Sequence, residues 1–129
     1  MSMLSRKQIF ALLLTLSFVT VVQAQRGTSI VRRITFPRGQ TTAAVQGSLR
    51  RGTSHDYLVR ARRGQGTAVR IMCQGEMGFQ IITPSGQYLS DFTVEWTGRL
   101  PESGDYRINV LPDPTTNRSL RYTLEVIIE

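Results

Sequence analysis

The sequence is poor in the side chains that catalysis and metal binding usually draw on. Its 129 residues include one cysteine, Cys73, and one histidine, His55. A lone cysteine excludes an internal disulfide framework and a thiolate metal cage. A lone histidine among singly scattered acids leaves no second ligand for a zinc or calcium site, and no cofactor motif is present. Lysine does not occur beyond Lys7, so every later cation is an arginine. Acids are scarce too, nine Asp plus Glu against 16 Lys plus Arg. No apolar run reaches the ~20 residues that span a ~30 Å hydrocarbon core. No window sustains apolar residues at i, i+3, i+4 and i+7, so an amphipathic helix is not expected. What remains, 40% apolar and 19% charged, is the composition of a folded chain.

The front of the chain reads as an address. Arg6 and Lys7 precede Ile9 to Val22, 14 residues interrupted only by Thr15, Ser17 and Thr20, and Val22-Gln23-Ala24 then offers small side chains where a signal peptidase reads. This pattern predicts a signal peptide over 1–24, cleaved after Ala24, and one domain over 25–129. Gln25 follows the cut where a lipid anchor would need Cys, so the product is expected in a periplasm or outside the cell, without stable membrane insertion. Setting aside Arg6 and Lys7 leaves 14 cations against nine acids, a charge of +5 on about 105 residues, enough chain for one core. Cys73 lies in phase with Val69 and Ile71, which predicts a buried, inert thiol.

Elsewhere the hydrophobic period is two. Ile34 and Phe36, then Ala43, Val45 and Leu49, then Tyr57, Val59 and Ala61 alternate with polar or charged neighbours. Met77, Phe79 and Ile81, the set Phe92, Val94 and Trp96, then Tyr106, Ile108 and Val110, and finally Tyr122, Leu124, Val126 and Ile128 continue the pattern. Turn residues punctuate these runs about every ten positions, at Pro37-Arg38-Gly39, Arg51-Gly52-Thr53, Gly64-Gln65-Gly66, Pro84-Ser85-Gly86 and Ser103-Gly104-Asp105. The expectation is an all-β chain of about seven to nine short antiparallel strands, packed as a two-sheet, jelly-roll-like β-sandwich. Periodicity leaves a closed barrel open as the alternative. Trp96 is expected in the core by phase, and Leu111 to Ser119, with Pro112 and Pro114, as the longest loop.

Few residues suggest chemistry. His55 and Asp56 are adjacent, but neighbours on a strand point to opposite faces and do not form a catalytic pair. Gly64-Gln65-Gly66 lacks the strand-to-helix setting of a phosphate-binding turn and is expected to close a hairpin. Arg50, Arg51, Arg60, Arg62 and Arg63 bracket that predicted hairpin, and Arg60, Arg62 and Arg70 are expected to project from one outer face. Guanidinium groups so placed suit carboxylate or phosphate, hence an anionic envelope component or an acidic partner. Nucleic acid is not expected, since no aromatics interleave with these cations. Asn117-Arg118-Ser119 matches a glycosylation acceptor, a pattern too short to carry weight alone. In Pro84-Ser85-Gly86, proline presets φ and glycine supplies the positive φ that ends a type I hairpin turn, so Ser85 is expected at a stiff tip with Tyr88 starting the return strand.

Four stretches, Arg33–Gly39, Asp56–Gln65, Trp96–Val110 and Arg121–Val126, carry a resemblance to a known family. In that order, and over nearly all of the chain after the leader, they resemble the bacterial periplasmic inhibitors of goose-type lysozyme and, more loosely, bacterial pre-peptidase C-terminal domains. The resemblance implies a β-sandwich that is no enzyme, with goose-type lysozyme as partner. It also implies a rigid loop that enters the enzyme's sugar cleft, with a Ser-Gly-x-Tyr pattern that falls here on Ser85, Gly86, Gln87 and Tyr88. Ser85 would then bond a catalytic carboxyl, Tyr88 would brace the wedge, and an arginine on a neighbouring loop, Arg118, would pair with the same carboxyl. The alternative is an envelope-associated module that binds anionic polymer or a partner protein through Arg60 and Arg62.

Overall fold

A computed structural model describes residues 29–129, so the expected signal peptide at 1–24 lies outside the described residues. Nine strands and no helix are found among them: β1 (Ser29–Arg33), β2 (Thr42–Leu49), β3 (Ser54–Ala61), β4 (Gly66–Cys73), β5 (Met77–Ile82), β6 (Tyr88–Thr93), β7 (Glu95–Arg99), β8 (Gly104–Pro112) and β9 (Leu120–Ile128). They form a five-stranded sheet in the order β1-β3-β8-β5-β6 and a four-stranded sheet in the order β2-β9-β4-β7. Two separate sheets make a sandwich and not a closed barrel. Every pairing is antiparallel except β1 with β3.

The period of two is what closes this sandwich. In β8 and β9 every second side chain is buried, Tyr106, Ile108 and Val110 on one sheet facing Tyr122, Leu124 and Val126 on the other. Val59, Val69, Phe79 and Leu49 complete the same core, with Phe79, Val110 and Leu124 wholly out of water. Each such side chain contributes about 1.5–3 kcal/mol on burial, offset by chain entropy.

Several expectations fail where the chain changes sheet. The phase of Phe92, Val94 and Trp96 is broken: β6 carries register shifts against β5, and the chain then leaves the five-stranded sheet for the other. An extra residue in one strand turns the following side chains to the opposite face. Phe92 and Val94 therefore stand exposed, and Phe92 lies over Gly78 from outside, where a Cβ would meet its ring at 2.7 Å. Trp96 packs against the core but is only half-buried. Cys73 is half-buried rather than fully enclosed, its thiol directed at the Gly75 carbonyl 2.9 Å away. β8 runs through Leu111 and Pro112, so the loop there is 113–119, and the connection 34–41 is longer.

The turn at Gly64 is no hairpin. β3 and β4 belong to different sheets, so residues 62–65 cross from one layer to the other. Arg60 thus faces solvent from the five-stranded sheet and Arg70 from the four-stranded one, where Arg70 pairs with Glu125 at 3.0 Å. A single outer face holding Arg60, Arg62 and Arg70 does not exist.

Candidate functional site

The register divides the loops between two ends of the sandwich. β8 pairs Ala61 with Gly104 on one side and Ile82 with Arg107 on the other, which gathers the connections 62–65, 83–87 and 100–103 at one end. The connections 50–53, 74–76 and 113–119 lie at the other. Along β8, from Gly104 to Pro112, the ends are roughly 27 Å apart at ~3.4 Å per residue.

The turn after β5 forms as its residues dictate. The Gly86 amide donates to the Thr83 carbonyl at 2.9 Å across Pro84 and Ser85, and the Thr83 amide donates to the Gln87 carbonyl at 2.7 Å. Gly86 sits at φ 91°, beyond the comfortable range of a side-chain-bearing residue, with open space around it. Ser85 is exposed at the tip and Tyr88, 64% exposed, begins β6 on the outer side of the sheet.

Glu102, on the connection between β7 and β8, anchors this tip. Its carboxylate accepts from the Ser85 hydroxyl at 2.7 Å and from the Ser85 amide at 3.2 Å. The hydrogen bond from the Ser85 side chain holds the Glu102 carboxyl below its ordinary range. Ser85 has one proton and gives it to Glu102, so the Thr83 hydroxyl, 3.1 Å away, is the donor in their contact. One lone pair of Ser85 Oγ then remains for a visitor. The base of Glu102 is fixed in turn: the Tyr106 hydroxyl donates to its carbonyl at 2.6 Å and accepts from its amide at 2.9 Å.

The neighbouring arginines at this end come from β3 and the turn after it. The Arg63 amide donates to Ser103 Oγ at 2.9 Å, the Gly64 amide to the Leu100 carbonyl at 2.8 Å, and Arg99 to the Gly64 carbonyl at 2.9 Å. Residues 62–65 are thereby tied to 100–103, the connection that holds Ser85. Arg62 and Arg63 are exposed there, and Arg60 sits opposite Asp105 in the ladder. Arg33 grips Asp105 through two bonds of 2.9 and 2.8 Å, which hold that carboxyl below its ordinary range.

Ser85, Gly86, Tyr88, Arg60 and Arg62 thus share one end. Arg118 does not: it belongs to the loop 113–119 at the far end, its guanidinium 3.4 Å from the Gln74 carbonyl. The expectation that Arg118 neighbours Ser85 is corrected, because β5 pairs with β8 and the two loops leave opposite ends of β8. Sequence reasoning missed Glu102, a polar turn residue with no pattern of its own, and Phe92, whose phase is reset by the bulge.

His55 and Asp56 do face apart. Asp56 accepts from Arg107 at 2.7 Å and from the Asn109 amide, whereas His55 points between the sheets, its Nδ1 2.6 Å from the Tyr122 hydroxyl. His55 is thus bonded across the sandwich rather than sitting as a plain polar residue at the start of a strand.

No family model and no curated protein matches the chain. Among solved structures, PliG of Aeromonas hydrophila, a periplasmic inhibitor of g-type lysozyme, superposes with a TM-score of 0.74 at 24% identity, over 80% of this chain and 99% of that one. The PliG inhibitor of Salmonella Typhimurium gives 0.65 at 24%, over 79% and 100%. The pre-peptidase C-terminal domain of a Bacillus anthracis collagenase gives 0.61 at 16%, over 77% and 96%. At these identities the likeness is one of architecture: the chain has the β-sandwich fold of periplasmic g-type lysozyme inhibitors, which a pre-peptidase C-terminal domain also shares.

Proposed function

We propose that the protein is exported with removal of residues 1–24, works in a periplasm or outside the cell by binding rather than catalysis, and inhibits goose-type lysozyme. The observation that carries this reading is the exposed Ser85 turn, ordered before any partner arrives by its bonds to Glu102, on a fold that solved inhibitors share. A loop already fixed in its bound shape loses little freedom on docking, so more of the contact energy appears as affinity.

The chemistry at the tip suits a glycosidase cleft. The general acid of such an enzyme holds its proton at working pH, and the free lone pair of Ser85 Oγ accepts it. Tyr88 presses an amphipathic ring on the cleft wall. Arg62, with Arg60 behind it, pairs with an ionised carboxylate beside the cleft. Arg118 has no part in this contact. Among the described residues His55 is bonded to Tyr122 and has no serine or cysteine in hydrogen-bond contact, which is why binding rather than hydrolysis is the role we propose.

The test is loss of turbidity of a cell-wall suspension under goose-type and chicken-type lysozymes. The protein is expected to suppress goose-type lysis at micromolar concentration. Tyr88→Ala is expected to weaken suppression by about tenfold or more, and Arg118→Ala to leave it unchanged. Undiminished lysis by the goose-type enzyme would end the proposal.

A further inference from the structure

The end of the sandwich away from Ser85 carries a different kind of surface. The turn after β2 is closed on itself: the Thr53 hydroxyl donates to the Arg50 carbonyl at 2.6 Å and accepts from the Arg50 amide at 3.1 Å. Arg50 and Arg51 are consequently exposed on a fixed support. The loop 113–119 is pinned beside it through Ser48 Oγ and Ser119 Oγ, 2.9 Å apart. Between them opens a concavity of about 290 Å³ lined by Arg50, Arg51, Thr53, Asn117, Arg118 and Ser119, with no carboxylate among them. Arg118 and Ser119 also border a shallower groove of about 1040 Å³ on the four-stranded sheet, whose other walls include Gln46, Ser48, Gln74 and Arg121.

These arginines are in excess. All nine acidic residues lie within 29–129, so no acid outside the described residues is available to neutralise them. Arg33, Arg70 and Arg107 each have a carboxylate at 2.7–3.0 Å. Arg50, Arg51, Arg118 and Arg121 have none. Uncompensated charge around a concave surface focuses a positive potential, and planar guanidinium forks match phosphate oxygens two at a time. The adjoining groove mixes the amides of Gln46 and Gln74 and the hydroxyls of Ser48, Ser119 and Thr123 with the apolar Met72, Cys73 and Leu120, a lining that suits the hydroxyls and the C–H faces of a sugar chain. The exposed aromatics Tyr88 and Phe92 lie on β6 in the other sheet, so the groove offers no platform for stacking nucleobases.

We infer that this end binds a phosphate-bearing polysaccharide, with phosphate held by Arg50, Arg51 and Arg118 and the sugars lying along the groove past Gln74 and Arg121. This site is independent of the lysozyme contact, which uses the opposite end.

The experiment follows backbone amide shifts of the isotope-labelled protein during titration with a phosphorylated mannose oligosaccharide, its dephosphorylated form, inorganic phosphate and duplex DNA. The expected result is movement confined to 46–53, 72–76 and 117–123 with the phosphorylated oligosaccharide, fading as salt rises above about 0.1 M. Arg51→Gln with Arg118→Gln is expected to weaken binding about tenfold or more, whereas Arg38→Gln, in the 34–41 connection, leaves it unchanged. All of these arginines are exposed, and unaltered circular dichroism establishes that each variant is folded. Absence of shifts, equal binding of the dephosphorylated chain, or indifference to the paired substitution would overturn the inference. So would equal affinity for inorganic phosphate alone, which makes it an ion site, or for duplex DNA, which makes it a generic polyanion surface.

Discussion

Two side chains show how single residues tune this sandwich. His55 sits between the sheets, bonded to Tyr122, whose hydroxyl lies 2.6 Å from that of Tyr57. Burial lowers the His55 pKa below its ordinary 6.5; Arg32 lowers it further, and Asp56 opposes both. The same burial pushes the Tyr122 phenol well up, so it stays protonated and able to donate. A histidine harder to protonate in the folded state contributes stability that is complete above about pH 6.5 and lost as pH falls through its folded value, because the unfolded chain takes up the proton first. The urea midpoint is therefore expected to fall between about pH 7.5 and 5.5, and to fall less in His55→Gln; equal slopes would contradict this. Thr67 makes the opposite case. Its hydroxyl is the one buried side-chain polar atom without a partner among the described residues. Exchanging it for a methyl of similar shape removes an uncompensated desolvation cost, so Thr67→Val is expected to raise unfolding free energy by about 1 kcal/mol, read from urea denaturation.

At the scale of elements, the hairpin of β5 and β6 is the decisive unit. Gly86 at φ 91° allows the turn to close without strain, and a Cβ there costs about 1–2 kcal/mol. Gly86→Ala is expected to lose that much stability and also to loosen Ser85 from Glu102, so inhibition falls along with the urea midpoint. A variant that keeps both would remove the turn from its assigned role. This turn was legible in the sequence because proline and glycine at fixed spacing act locally. The strands β3, β4, β8 and β9 were legible for a similar reason, each having one buried face that imposes the period of two. β6 was not, because a bulge and a change of sheet reset its phase. Nor were the positions of Arg70 and Arg118. Alternation says which way a side chain points but not which strands pair, and only the pairing of β5 and β3 with β8 separates Arg118 from Ser85. Glu102 was invisible for the same reason: its meeting with Ser85, 17 residues away, is made by the pairing alone.

Across the whole molecule, the two sheets act as a rigid spacer between dissimilar ends. One presents a hydroxyl tip, an exposed tyrosine and the arginines of the crossing turn; the other presents Arg50, Arg51, Arg118 and Arg121 without a carboxylate partner, the nearby Asp113 being taken up by Thr115. The fold alone, common to inhibitors and to a pre-peptidase C-terminal domain, does not choose between the ends. Hydrogen–deuterium exchange of the protein with and without goose-type lysozyme does so directly. Slower exchange is predicted for amides within 62–65, 83–88 and 100–103, with 50–53 and 113–119 unchanged. Protection confined to 50–53 and 113–119, or no protection at all, would contradict the assignment of the Ser85 turn as the inhibitory element.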